Sequence, residues 1–100
     1  MKLKDKELDL FGTRYKLIYE DKIPSPVEGN FTMGVTNAGA NEIHIATQDY
    51  HGNPVDSSEH KITLIHELLH AILDEGQYND ASSDEPMIEW LARCLKYLMD

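Results

Sequence analysis

Cysteine is almost missing from this sequence. Cys94 is the single one in 100 residues, which excludes an internal disulfide framework and points to a reducing compartment. Its surroundings have helical periodicity, so a packed, inert thiol is the ordinary reading. Long apolar runs are missing too. No stretch reaches the ~18 residues of a membrane span, and the opening MKLKDKELDL lacks the apolar segment of a secretory signal. A cytoplasmic protein with no membrane partner is the expectation. Positive charge is scarce: nine basic residues face eighteen acidic ones, a formal net charge of −9. The basic residues are scattered, with one loose group at Lys2, Lys4 and Lys6 that reads as a solvated tail, so nucleic acid is not expected as a direct ligand.

What is present is the balance of a folded chain, with 41% hydrophobic and 27% charged residues. A chain of this length is expected to form one domain, residues 1–100, around a thin core whose stability a bound metal would supplement. The first half has strand character. Glu7 to Phe11 alternates apolar and charged residues, Gly12 and Thr13 suggest a turn, and Tyr15 to Tyr19 supplies a second β-rich run. Lys22 to Asn30, with Pro24, Pro26 and Gly29, reads as a loop. Phe31 to Thr36 and Glu42 to Thr47 read as a second hairpin around Asn37 to Asn41, whose residues tolerate positive φ. Gln48 to Val55 is read as loop.

The second half is helical. Asp56, Ser57 and Ser58 offer N-caps, Asp56 and Glu59 have capping-box spacing, and a helix is predicted over 57–74 with Gly76 as its stop. Its apolar residues are Ile62, Ile65, Leu69, Ile72 and Leu73 on one side and Leu64, Leu68 and Ala71 on another, so it should be buried nearly all round. One polar stripe of Thr63, His66, Glu67, His70 and Asp74 interrupts that surface. A second helix should start near Ser82, Ser83 or Asp84, tolerate Pro86 in its first turn and run to about Met99. Ile88, Leu91, Ala92, Leu95 and Leu98 form its core face, with Trp90 on the far side. The predicted fold is therefore α+β: a small sheet of two β-hairpins packed on the histidine-bearing helix and a C-terminal helix.

The stripe contains a His-Glu-x-x-His sequence, His66 to His70. Histidines four apart on a helix lie one above the other, so both imidazoles can converge on one Zn²⁺ ion. Glu67 is rotated about 100° away, outside the ligand set but beside the remaining coordination position, where it can act as general base on a metal-activated water. Burying two histidines, a glutamate and an aspartate with no ion to compensate them is costly, which favours the metal reading. A catalytic zinc normally has three protein ligands. No histidine follows His70, so the downstream candidates are Asp74, Glu75, Asp80, Asp84, Glu85 and Glu89. Asp74 points along its own helix and suits a supporting position. Glu85 lies about 80° from the centre of the second helix's apolar face and Glu89 about 120°, which favours Glu85 as ligand and leaves Glu89 to hydrogen-bond an imidazole.

The same residues carry a family resemblance. His66-Glu67-Leu68-Leu69-His70 followed by Glu85-Pro86-Met87-Ile88-Glu89-Trp90-Leu91-Ala92 resembles the gluzincin metallopeptidases, and within them the ImmA/IrrE-like family, over roughly residues 31 to 98. The resemblance implies His66, His70 and Glu85 as zinc ligands, Glu67 as base and Glu89 as a supporting acid. Glu89 stands where that family usually has Asn or Asp, and Leu91 where it often has Phe. Members often occur in phages and mobile elements, where some cleave repressors.

Other polar residues have simpler readings. His44, His51 and His60 are expected to be solvated or structural. Tyr50 and Tyr78, in loops flanking the first helix, are candidates to donate to a developing oxyanion. The strand Asn41 to Thr47 is a candidate exposed edge for aligning a peptide. The expected function is zinc-dependent hydrolysis of a peptide or protein substrate. The alternatives are a non-catalytic, zinc-stabilised interaction module, against which Glu67 argues because a purely structural site has no use for a base, and a zinc hydrolase acting on a non-peptide amide.

Overall fold

The computed structural model describes residues 6–24, 31–49 and 51–99. Lys2, Lys4, Pro26, Gly29 and Tyr50 lie outside them, and so do the expectations attached to those residues. The fold is α+β, with the elements in two blocks as predicted. Strands β1 (Lys6–Leu10), β2 (Thr13–Glu20), β3 (Ile23–Pro24), β4 (Phe31–Thr32), β5 (Gly34–Asn37) and β6 (Glu42–Ala46) precede helices α1 (Ser57–Glu75), α2 (Asn79–Ser82) and α3 (Glu85–Met99).

Four strands form a mixed sheet in the order β1-β2-β6-β5. The two expected hairpins are its outer pairs, β1/β2 and β5/β6, and they join through a parallel pairing of β2 with β6, from Lys16↔Glu42 to Glu20↔Ala46. Sequence alternation reports which face is buried but not which strand is the neighbour, so this join left no local signal. The first turn is Phe11-Gly12, one residue earlier than read, with φ of 55° and 91°. Two positive φ values are what a type I′ hairpin needs. The second turn closes with Asn41 at φ 54°.

Three expectations are corrected here. The segment from Lys22 is not wholly loop, since Ile23–Pro24 pairs antiparallel with Phe31–Thr32 and Ile23 is buried. A two-residue ladder tolerates a proline that no longer strand would. The strand around Asn41 to Thr47 is not an edge: β6 lies between β2 and β5, and the edges are β1 and β5. Helix α1 is less completely buried than its composition suggests, because Ile72 is exposed, and on α3 Leu91 and Leu98 are exposed as well. Trp90 is exposed, as its phase predicts.

Burial places α1 at the centre. On one side Ala71, with Leu64 and Leu68, packs against Tyr15, Leu17, Ile43 and Ile45 from β2 and β6. On the other, Ile62 and Ile65 meet Ala92 and Leu95 of α3. Each fully buried large apolar side chain contributes about 1.5–3 kcal/mol relative to exposure. Polar contacts fix both ends of α1. Asp56 caps it by accepting from the Ser58 and Glu59 amides, while the Glu59 side chain reaches Arg93 of α3 at 3.5 Å. At the far end Glu75 accepts from Thr13 Oγ1 at 3.0 Å and from the Tyr15 hydroxyl at 2.9 Å. Burial and the neighbouring Glu75 carboxylate push the Tyr15 phenol up to about 12. Gly76 ends the helix with ordinary right-handed φ, and Gln77 takes the left-handed conformation at φ 63°. Gly76 is needed for space, because a Cβ there would lie 2.9 Å from the Tyr78 ring. No helix among the described residues is long and apolar enough to cross a membrane.

Candidate metal centre

The polar stripe of α1 faces a cleft of about 840 Å³, walled by β5 on one side and α3 on the other. Contacts of His66 with Glu85 and Glu89 and of Glu59 with Arg93 show that α3 runs antiparallel to α1, so its first turns stand over the two histidines. Asp84 starts α3 by accepting from the Met87 amide at 3.2 Å. That cap sets Glu85 at the head of the helix, against the cleft.

Three donor groups converge there. His66 Nε2 and His70 Nε2 are 3.2 Å apart, and each lies 3.0 Å from one oxygen of Glu85. The other ring nitrogens point away. His70 Nδ1 is 3.1 Å from Ser82 Oγ and His66 Nδ1 is 3.4 Å from Glu89 Oε1. With a proton on each Nδ1, both rings donate to these partners and both Nε2 lone pairs face Glu85. Two lone pairs and a carboxylate so close repel unless a cation stands among them. A tetrahedral ion with bonds of ~2.0–2.1 Å sets its ligand atoms about 3.3 Å apart, close to the 3.2 Å between the two Nε2 atoms and the 3.0 Å from each to one Glu85 oxygen. His66, His70 and Glu85 could thus hold a metal ion.

Glu67 is outside that group. It is only 6% exposed, and its Oε1 accepts from Thr36 Oγ1 of β5 at 2.8 Å. Burial raises its pKa above the ordinary carboxylate value, opposed by the Thr36 hydrogen bond and by His66 and His70, and supported by Glu85. A carboxyl with a raised pKa is a stronger proton acceptor than an exposed one. Gly34 makes room for it. A Cβ at that position would lie 2.9 Å from Glu67 Cγ and 3.0 Å from Oε2.

The remaining candidates sort by position. Asp74 lines the cleft. Glu75 is taken by Thr13 and Tyr15, while Asp80 is exposed. Tyr78 is exposed and does not line the cleft. His44 is held between Glu20 and Glu42, and His60 stacks on Tyr19 at 5.5 Å. Three residues of the site went unnoticed in the sequence. Thr36 and Gly34 lie two apart and so share a sheet face, but nothing local marks that face as the cleft wall. Ser82 was visible only as a helix cap; it belongs instead to α2, a single turn that escaped prediction.

The chain matches no protein-family model, no curated protein and no solved structure.

Proposed function

We propose that the protein is a zinc-dependent peptide hydrolase of the gluzincin type, akin to the ImmA/IrrE-like family. His66, His70 and Glu85 are the ligands in this reading. Nitrogen donors with one carboxylate suit zinc, and three protein ligands leave a position for water or substrate. Zinc held there supplies Lewis acidity, which lowers the pKa of water and polarises a carbonyl. The observation that carries the reading is the placement of Glu67, a buried carboxylate beside the ligand group that contributes nothing to it. Such a group accepts the proton of the attacking water and returns it to the leaving amine. Glu89 and Ser82 hold the imidazoles by their Nδ1 protons, and Thr36 fixes the Glu67 carboxylate.

The shape of the cleft favours a peptide. Strand β5 ends the sheet on the cleft side, and an extended chain laid along it would find backbone donors and acceptors beside Glu67. The test is elemental analysis of the purified protein together with a peptide-library cleavage assay on the parent and on Glu67→Gln. The reading requires one zinc per chain in both proteins and cleavage in the parent alone. Stoichiometric zinc with equal cleavage by both would remove Glu67 as the base. Absence of zinc would remove the whole reading.

A further inference from the structure

Helix α3 has two apolar faces, and among the described residues only one of them is packed. Ile88, Ala92 and Leu95 pack inward. At ~100° per residue, Met87, Trp90, Leu91, Cys94, Tyr97 and Leu98 fall on a second stripe. Trp90 is 68% exposed, Tyr97 82% and Leu98 77%. Glu85, Glu89 and Arg93 line the cleft, so the stripe lies away from it and carries no charge. Ile72 of α1, also exposed, adds to the apolar surface of the helix pair. Single exposed apolar residues are ordinary, but a contiguous, uncharged helical stripe in a chain with net charge −9 marks an interaction surface.

We infer that this stripe is the self-association surface of the protein, joining two copies through antiparallel α3 helices about a two-fold axis near Cys94. The inference is independent of the proposed activity. Its first ground is the symmetry of the stripe. Large residues stand three and four positions before Cys94, Leu91 and Trp90, and again three and four after it, Tyr97 and Leu98. A two-fold interface places residue i on j and j on i. Antiparallel pairing centred on Cys94 therefore sets Trp90 against Leu98 of the second copy and Leu91 against Tyr97, an aromatic on an aliphatic each time, with the small cysteine at the axis. The second ground is size. The exposed side chains of the stripe present roughly 500 Å² of apolar surface, and with the polar rim of an average interface that becomes roughly 800–900 Å² per copy, the size of a standard stable interface. The cleft stays open in such a pair.

The test is sedimentation velocity of the full chain across roughly 1–200 µM, with cross-linking of Cys94 by a short bismaleimide, which spans helices packed 8–10 Å apart. A dimer is expected, with a Cys94–Cys94 adduct that forms in the parent. Leu98→Glu and Trp90→Ser should each weaken the dimer by about 100-fold and abolish the adduct, with helical circular dichroism unchanged because both residues are exposed. Salt should strengthen the dimer, since two chains of like charge repel and salt screens them. A monomer throughout the range, with no adduct, overturns the inference. So does a dimer indifferent to both substitutions, or one that dissociates as salt rises; the last would point to an electrostatic contact elsewhere.

Discussion

Thr36 Oγ1 stands 2.8 Å from Glu67 Oε1 and 2.9 Å from the carbonyl oxygen of the same residue. One hydroxyl proton therefore serves two acceptors, tying an edge strand to the helix that carries the candidate base. Replacing it leaves a buried carboxylate oxygen without a donor, a change that costs about 1–3 kcal/mol. Thr36→Val is expected to lower turnover of a confirmed substrate about tenfold or more while zinc content stays stoichiometric. Thr36→Ser keeps the hydroxyl and should recover most of the rate. Equal rates for the valine and serine variants would show that the hydrogen bond does not position Glu67.

Gly34 acts on the same carboxylate through space alone. The Cβ of Gly34→Ala would fall 2.9 Å from both Glu67 Cγ and Thr63 Cγ2, closer than carbon atoms tolerate. Strand β5 must move out or Glu67 must turn, and overpacking of this kind costs about 1–3 kcal/mol. The variant should melt several degrees lower and lose most of its hydrolytic activity. Zinc titration should be unchanged, since neither contact involves a ligand. Parent-like melting and activity would mean that β5 is free to shift.

These two residues mark where the sequence stops being informative. The histidine pair was legible because a helix fixes the spacing of its own residues, so four positions mean one face whatever else the chain does. Glu85 was accessible for a similar reason, since its phase on α3 follows from the apolar residues around it. Thr36 and Gly34 reach Glu67 only because β5 pairs with β6 and β6 pairs in parallel with β2, and strand order is a tertiary fact. The exposure of Leu91 and Leu98 was misread for the opposite reason. Periodicity shows which residues share a face, but α3 has two apolar faces, and among the described residues α1 covers only one of them.

Glu85 and Glu89 are separated by what they touch. Glu85 approaches both Nε2 atoms at 3.0 Å, whereas Glu89 meets one imidazole at its outer nitrogen, His66 Nδ1, at 3.4 Å and turns its other oxygen to Arg93 at 3.5 Å. Glu85→Ala should therefore weaken zinc binding far beyond the 10–100-fold typical of a residue that only supports a ligand, and Glu89→Ala should fall within that range. Competition with a chelator gives both affinities. Chelation of the parent should also lower its melting temperature, because metal that binds only the folded chain stabilises it. A larger loss from Glu89→Ala would exchange the two roles.

Two histidines outside the cleft should shape how stability depends on pH. His44 sits between Glu20 at 2.8 Å and Glu42 at 3.0 Å. Burial lowers its pKa, but the hydrogen bonds to Glu42 and Glu20 and their charges outweigh it and raise the pKa above 6.5. The folded chain therefore holds this proton more tightly than the unfolded chain. Its contribution is fully present below pH 6.5 and is lost as pH rises through the raised value. His60 has the opposite sign. Its Nε2 is buried with no hydrogen-bond partner among the described residues, and burial lowers its pKa below 6.5. The unfolded chain takes up that proton first, so stability falls as pH drops below 6.5. Between them the two histidines lower stability on either side of their ordinary value of 6.5. His44→Gln should flatten the alkaline side of that profile, and His60→Phe, which keeps an aromatic ring against Tyr19, should flatten the acid side. Thermal melts of the two variants and the parent between about pH 5 and 8.5, taken as differences from the parent so that loss of metal on acidification cancels, measure both slopes. An alkaline slope that survives His44→Gln would show that the Glu20–His44–Glu42 cluster does not hold its proton in solution.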